Sequence, residues 1–552
     1  MKRLAVLTLA LVAAIATTTH ATVTTTTEIL VTAEDGRALA PLENVDFVER
    51  DAKGPSIRVY PRRARHAVEG IGSSITESSA FVLAHLDPQR RREVMARIWG
   101  HEGANFSMTR THIGSCDFTV EGKYSYAPEP GDDDLSSFSI APDRAGFDPD
   151  RHAGVVDPDY DLLPMIREAL AIKNAQGDAL RIVASAWTAP PWMKNTGEWF
   201  IPSSEENDWQ GTGGSLLPQH YGTYADYLVR YLDAYRAAGV PIWGITPVNE
   251  PHGNGGFWES MHFTPQEQNT FVNVHLGPVL QIRGFGDTKL FVYDQNRDGL
   301  EKWAQVILTD PRSREYVDGV AVHWYSSTVD VYEDTIARVR AEYLRYTLLH
   351  TEGCIDDLGQ EAGPGIEDPD GFEEEGWFDN DTWWWNRNAT DWAYTATWAG
   401  ESAADHPMYV PVHRYARDVI VGLDHGLSGW IDWNVVLDRH GGPNHVGNFC
   451  GAPIMIDTET QKIHFTPIFH VLSQFSRTIR PGDRVLTTER TLGGLGSDDL
   501  HACATRADDG TVTVQLLNTT KDPLRVDLEV DLSVAAIDVP ANAMQTVRFE
   551  ME

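Results

Sequence analysis

The sequence predicts an α/β fold, a (β/α)8 TIM barrel with a side β-sandwich-like domain, from three observations. Eight short apolar segments in the middle of the chain alternate with helical patterns. At the C-terminal end, and again near the N-terminus, that rhythm gives way to period-2 alternation. The length of 552 residues, 42% of them hydrophobic, suits one barrel plus a smaller domain, barrels running from roughly 200 to over 400 residues. A doubly wound open sheet is the rival arrangement, but no glycine fingerprint follows a first strand.

Taken in order, Lys2 and Arg3 precede an apolar run from Leu4 to Ala16, and Thr19-His20-Ala21 offers a small-x-small cleavage site. This reads as a secretory signal peptide over 1–21, with a secreted or periplasmic location expected. Residues 22–69 carry the strand-like Ile29–Val31 and Ser56–Tyr60 and are expected to join the side domain. The barrel is expected over 70–480. Its strands are Gly70–Ser74, Ala104–Arg110, Arg181–Trp187, Ile242–Val248, Lys289–Tyr293, Gly319–Trp324, Thr347–His350 and Leu427–Trp433. Apolar residues recur every three or four positions in the helices between them, as in Pro88–Trp99, Leu162–Asn174, Tyr221–Ala237 and Val331–Arg345. Asp87 can cap the first of these, and Pro88 suits its first turn. Residues 481–552 read as antiparallel sheet, with Thr511–Leu517, Leu524–Leu528 and Thr546–Phe549 as strands.

Two acidic stretches interrupt the pattern. Residues 356–381 hold 11 Asp or Glu and no Lys or Arg, and are expected to be a solvated excursion after the seventh strand rather than a calcium-binding lid. Asp294-Gln295-Asn296-Arg297-Asp298-Gly299 opens like a calcium loop, but position 12 is Gln305 instead of glutamate, so it reads as a barrel loop. The whole chain has 45 Lys and Arg against 80 Asp and Glu, a net charge of −35. Such a surface repels nucleic-acid phosphates and anionic membranes, so no nucleic-acid partner is expected. After the leader, no uncharged apolar run reaches the roughly 20 residues of an integral membrane segment. Cys116, Cys354, Cys450 and Cys503 form no CxxC pair, which leaves disulfides and buried thiols both open.

Catalytic groups in a barrel come from the C-terminal ends of its strands. Glu250, closing Val248-Asn249-Glu250-Pro251, and Glu352, closing His350-Thr351-Glu352, occupy two such ends, those of the fourth and seventh strands. Retaining hydrolysis of a glycoside needs one carboxyl that donates a proton and one that attacks the anomeric carbon. Asn249 can donate to a sugar 2-hydroxyl, and His323 and Tyr325, ending the sixth strand, can donate to the attacking carboxylate. The chain also has 17 tryptophans, of which Trp187, Trp192, Trp199, Trp258, Trp324, Trp430 and Trp433 fall at strand ends or loops. Indole faces suit the C–H faces of sugars, with Trp187 and Trp433 the better placed. Trp383-Trp384-Trp385 can equally anchor the acidic excursion. No cofactor and no metal are expected.

These residues resemble glycoside hydrolase family 30, glucosylceramidase-like, from about Gly70 to the C-terminus. The likeness rests on the ordered set Arg110-Thr111-His112-Ile113-Gly114-Ser115-Cys116-Asp117-Phe118, Ser185-Ala186-Trp187-Thr188-Ala189-Pro190-Pro191-Trp192, Pro247-Val248-Asn249-Glu250-Pro251, Ala321-Val322-His323-Trp324-Tyr325, His350-Thr351-Glu352, Gly429-Trp430-Ile431-Asp432-Trp433-Asn434 and Gly441-Gly442-Pro443-Asn444 leading to Asn448. The resemblance implies a barrel with a side β domain and retaining chemistry, Glu250 as acid/base and Glu352 as nucleophile. Arg110, His323 and Tyr325 would surround the nucleophile. Asp117, Phe118, Trp187, Asn249, Trp433 and Asn448 would line the glucose subsite, with Asp117 a charged acceptor. The expected activity is exo-acting on β-glucosides, either oligosaccharide or glycolipid. An endo-β-1,6-glucanase is the runner-up, with β-xylosidase or β-fucosidase behind it. A carbohydrate-binding barrel without catalysis is disfavoured because both carboxylates are present.

Overall fold

The computed structural model describes residues 27–202, 204, 213–253, 257–355, 378–387 and 404–551. The leader at 1–21 and residues 356–377 of the acidic excursion lie outside them. Eight parallel strands close into a barrel: β1 (Gly70–Ser73), β2 (Met108–Ile113), β3 (Arg181–Ala186), β4 (Gly244–Thr246), β5 (Lys289–Asn296), β6 (Gly319–His323), β7 (Thr347–Glu352) and β8 (Gly429–Asp432). β8 pairs with β1, as Trp430 with Ile71 and Asp432 with Ser73, which completes the ring. Glycines at this seam let the backbones approach closely. A Cβ on Gly429 of β8 would lie 2.7 Å from the Gly70 carbonyl oxygen of β1.

The second strand begins four residues later than expected, at Met108. Asn105, at φ 54°, turns the chain in the left-handed region just before it. β5 runs on to Asn296, so Asp294, Gln295 and Asn296 belong to a strand and not to a loop. Asp87 makes no side-chain cap bond to the helix Pro88–Trp99. By contrast, Thr76 accepts from the Ser79 N–H and Asp161 from the Leu162 N–H at the helices that follow them. The helix expected over 331–345 is shorter, Glu333–Glu342, because Tyr332 before it is left-handed at φ 57°.

Strands from both chain ends build a ten-stranded sheet. Glu28–Ala33 pairs antiparallel with Ala543–Glu550, while Ser56–Ala67 lies between Arg484–Thr491 and Leu524–Val530. Alternate residues, among them Ile57, Val59, Val514, Leu516, Leu528, Ile537 and Val547, bury one shared core. The last barrel helix, Pro467–Thr478, fastens this sheet to the barrel through amides rather than apolar contact alone. Buried Gln474 accepts from Thr32 Oγ1 at 2.6 Å and donates to Thr546 Oγ1 at 2.9 Å, and Gln515 Nε2 donates to Thr478 Oγ1 at 2.8 Å. Gln474→Ala removes the acceptor of the Thr32 hydroxyl and the donor to that of Thr546. It is expected to lower unfolding stability by about 1–3 kcal/mol in urea titration, and a loss below about 0.5 kcal/mol would show the joint to be carried elsewhere.

All four cysteines are buried and none is in a disulfide. Trp384 and Trp385 are buried against the barrel core, which gives the Trp383–Trp385 run an anchoring position. Among the described residues, no helix is long and apolar enough to cross a membrane.

Candidate active site

The inward positions of the barrel strands repeat every two residues. Met108, Val183, Phe291, Ala321, Leu349 and Ile431 form an apolar plug. Two residues further along the same strands come Arg110, Ser185, His323, Thr351 and Trp433, all buried. On β5 that count selects Tyr293, but Asp294 is the residue that faces this group. The β5–β6 pairing slips there, Ala321 opposing Tyr293 and Val322 opposing Gln295. Tyr293 and Asp294 take φ of 76° and 62°, so the extra residue of a bulge turns the Asp294 side chain inward.

Asp294 is the centre of the network. Its Oδ1 accepts from Thr351 Oγ1 at 2.6 Å and faces His323 Nε2 at 3.1 Å. Its Oδ2 accepts from Thr246 Oγ1 at 2.7 Å and from an Arg110 guanidinium nitrogen at 2.9 Å. Burial works against its ionisation, but the Arg110 charge and the His323 contact outweigh it and hold the carboxyl far below its usual value. Arg110, with no exposed surface, spends its remaining donors on Glu352 Oε2 at 2.5 Å, Asn249 Oδ1 at 2.7 Å and Ser185 Oγ at 3.0 Å.

Glu352 thus has the partners of a carboxylate anion, the Arg110 ion pair on one oxygen and the Tyr325 hydroxyl on the other at 3.1 Å. His323 was expected to donate to this carboxylate. It is bonded instead to Glu250 Oε1 at 3.1 Å through Nδ1 and to Asp294 through Nε2, because both ring nitrogens are already engaged along that line. Burial would lower the imidazole, yet the charge of Glu352 and the bonds to Asp294 and Glu250 raise it to about 9. Burial also pushes the Glu250 carboxyl above its usual value. His323 opposes that shift and the Glu352 charge adds to it.

The backbone at Glu250 is left-handed, φ 49°, an unfavourable conformation for glutamate. Its N–H donates to the Asp294 carbonyl at 3.0 Å, and that of Asn249 to the Ala186 carbonyl at 2.6 Å, which hold the turn against β5 and β3. Carboxylate oxygens of Glu250 and Glu352 and a ring nitrogen of His323 lie within 4.8 Å of one another. Three such groups can in principle hold a cation. Here an imidazole raised to about 9 carries protons on both nitrogens at neutral pH, so a cation would have to displace one of them to find a lone pair.

Beside the carboxyl pair, Trp187 and Trp433 stack with centroids 5.3 Å apart, and the Arg110 guanidinium lies 4.8 Å and 5.6 Å from the two rings. Phe118 meets Trp433 edge-on at 5.9 Å and is itself fully buried, so it supports the indole instead of presenting a surface. Asn448 Nδ2 donates to Asp117 Oδ2 at 3.1 Å. Asp117 was expected as a charged acceptor. Burial, with the charges of Glu352 and Glu259, raises it to about 8 despite Asn448, so at neutral pH it is mostly protonated and donates as well as accepts. Arg110 claims the Asn249 carbonyl oxygen, leaving the amide NH2 as that side chain's donor. Of the other tryptophans, Trp324 and Trp430 are core residues, packed at 5.6 Å, and Trp192 donates to the Ala127 carbonyl at 2.9 Å.

Several participants were not foreseen. Asp294, Ser185, Thr246 and Thr351 are interior strand residues that the barrel alternation could have signalled, had the bulge been counted. Glu259 and His445 were also missed. Glu259 accepts from Ser115 Oγ at 2.5 Å and faces His445 Nε2 at 3.1 Å. Asn444 Oδ1 gathers the N–H groups of Val446, Gly447 and Asn448 at 2.6–3.1 Å. Together these bonds pin the loop that carries Asn448 to Asp117.

Comparison with known proteins agrees with this architecture. The chain is 27% identical over 502 residues to the lysosomal acid glucosylceramidase of Mus musculus, covering 90% of this chain and 84% of that one. It is 25% identical over 476 residues to an endo-1,6-β-D-glucanase of Neurospora crassa, with 85% and 82% covered. The crystal structure of SrfJ from Salmonella typhimurium superposes with a TM-score of 0.74 at 23% identity, over 96% of this chain and 100% of that one, a likeness of fold. The glycosyl hydrolase family 30 TIM-barrel domain matches residues 68–363 and 395–479, and the family 30 β-sandwich domain matches residues 484–547. The chain belongs to glycosyl hydrolase family 30, and is a glycosidase acting on β-glycosidic bonds.

Proposed function

We propose that the enzyme, secreted from the cell, hydrolyses β-glucosides with retention of configuration, releasing glucose from the non-reducing end, glucosylceramide among its substrates. The observation that carries this reading is the approach of Glu250 and Glu352 to within 4.8 Å across the barrel mouth. That spacing suits direct attack by a carboxylate, at roughly 5–5.5 Å, and leaves no room for the water that inverting enzymes place between carboxyls roughly 6.5–9.5 Å apart.

Glu250, its carboxyl raised by burial, delivers a proton to the glycosidic oxygen as the bond breaks. Glu352 attacks the anomeric carbon, aimed by Arg110 and Tyr325. Its charge disappears in the glycosyl ester, and with it one of the influences that keep Glu250 protonated. Glu250 is then a carboxylate beside the His323 imidazolium, able to take a proton from water as the ester is cleaved. The Asn249 amide is placed to donate to the 2-hydroxyl of the sugar, a contact that strengthens as positive charge develops at the ring.

Exo action is the reading adopted for the loop that Glu259 and His445 pin, which holds Asn448 on Asp117. The glucosylceramidase relative supports the same choice. A second reading, endo-β-1,6-glucanase, is favoured by the comparable coverage of the Neurospora relative. Product analysis on gentio-, laminari- and cello-oligosaccharides beside glucosylceramide distinguishes the two. Stepwise release of β-glucose is expected. Internal β-1,6 fragments formed without glucose would overturn exo action, and α-glucose as first product would overturn retention.

A further inference from the structure

A second cavity lies on the face of the barrel opposite the mouth. His66 stands before the start of β1 and His425 before the start of β8, whereas Glu250 follows the far end of β4 and Glu352 closes that of β7. With the C-terminal end of the helix Glu333–Glu342 and the start of the strand Arg484–Thr491, these segments line a half-open cavity of about 620 Å³. The lining includes Arg65, His66, Arg340, His425, Arg484 and the exposed Leu344. Three guanidinium groups thus share one cavity in a protein whose net charge is −35.

Arg65 is paired with Asp424, but the partners of the other two do not neutralise them. Arg340 donates to the Tyr346 carbonyl at 2.7 Å and Arg484 to that of Arg65. Among the described residues, no carboxylate lies within ion-pair distance of either. The nearby acid is Asp424, whose Oδ1 is 3.6 Å from Arg65 and also accepts from Thr488 at 3.0 Å. Burial, then the charges of Arg65 and Arg484, lower the Arg340 guanidinium from its usual value, so the cluster is repulsive as it stands. Gly426, at φ 142°, permits this arrangement: a Cβ there would lie 2.8 Å from the Arg340 Cβ.

We propose that this cavity binds a phosphate or sulfate ester, the oxyanion held among Arg65, Arg340 and Arg484 and a sugar- or glycerol-sized body lying toward Leu344. Guanidinium forks match the paired oxygens of such groups better than a point charge does. The volume is that of a small-molecule site, which typically spans roughly 300–1,000 Å³, and exceeds what a bare ion fills. An anion here relieves the repulsion among the arginines. The site is independent of the chemistry at the mouth.

Isothermal titration calorimetry of the full chain tests it, with inorganic phosphate, sulfate, glucose 6-phosphate and, as neutral control, glucose. Vesicles of phosphatidylcholine with and without phosphatidic acid form a separate arm. Saturable binding of glucose 6-phosphate is expected, weakened by added salt and about tenfold by each of Arg340→Gln and Arg484→Glu. Arg484 lies at the exposed edge, so its variant carries the test if Arg340→Gln fails to fold, and unchanged hydrolysis of an aryl β-glucoside certifies its fold. Capture on phosphatidic acid vesicles alone assigns the same oxyanion chemistry to a lipid headgroup. The proposal is overturned if no phosphate or sulfate compound saturates below about 10 mM, or if Arg484→Glu binds as the parent does.

Discussion

Replacing Glu352 with Gln is expected to lower kcat on an activated aryl β-glucoside by about 10⁴-fold or more, the scale of loss when a covalent nucleophile is removed. The substitution keeps the size of the side chain, and Arg110 keeps its second anion, Asp294, 2.9 Å away. The barrel interior therefore stays paired while the attacking oxygen loses its charge. An activated leaving group needs little help from Glu250, so the loss reports on attack and not on proton donation. Glu352→Ala with added azide sharpens the reading. The small anion enters from the side the carboxylate occupied and attacks the anomeric carbon, giving an α-glucosyl azide and restoring part of the turnover. Wild-type rates in Glu352→Gln, or a β-azide product from Glu352→Ala, would remove Glu352 from the position of nucleophile and with it the double displacement.

The two glutamates were legible because each closes an apolar run, and a barrel puts the ends of its strands at one mouth. Their surroundings were harder to read, for physical reasons that differ from residue to residue. Asp294 looked like the start of a loop because acidic residues and glycine follow it, and strict alternation turns it outward. Only the bulge beside Tyr293 brings it into the barrel. β2 was placed too early because its interior half, Met108–Ile113, carries Arg110, Thr111 and His112, polar residues that mimic a strand leaving the core. Arg110 is buried because the network around Asp294 satisfies it, and His112 because its ring nitrogens meet the Gly114 carbonyl and the Glu77 N–H. The direction of the His323 contact depended on which of two carboxylates lay along each ring nitrogen, a matter of angstroms that no pattern in the chain encodes. Glu259 and His445 meet from loops 186 residues apart, and neither has a local signal. Asp117 was read as charged since aspartate usually is; its burial, beside Glu352 and Glu259, reverses that.

That network makes Asp294→Ala the substitution with the largest expected effect on stability. Four donors converge on Asp294: Arg110, His323, Thr246 and Thr351. Removing the acceptor leaves the fully buried Arg110 guanidinium with Glu352 as its remaining anion, takes one carboxylate from the His323 ring, and leaves both hydroxyls without this partner. Breaking a buried ion pair from one side costs about 3–5 kcal/mol, because the remaining charge stays desolvated. Urea unfolding at neutral pH is the measurement, and a loss below about 1 kcal/mol would show that Asp294 is not the hub the geometry describes. The pH dependence gives a separate readout. His323 is raised from 6.5 to about 9 in the folded chain. Its stabilising contribution is therefore complete below 6.5 and disappears as the pH climbs through 9. With Asp294 gone, part of what raises the imidazole is gone, so stability should fall less steeply across that window in the variant than in the parent. Activity should follow the same change, because an imidazole that sheds its proton earlier no longer stabilises the Glu250 carboxylate that must act as base. The alkaline limb of kcat then moves to lower pH, an effect that a purely structural aspartate would not produce.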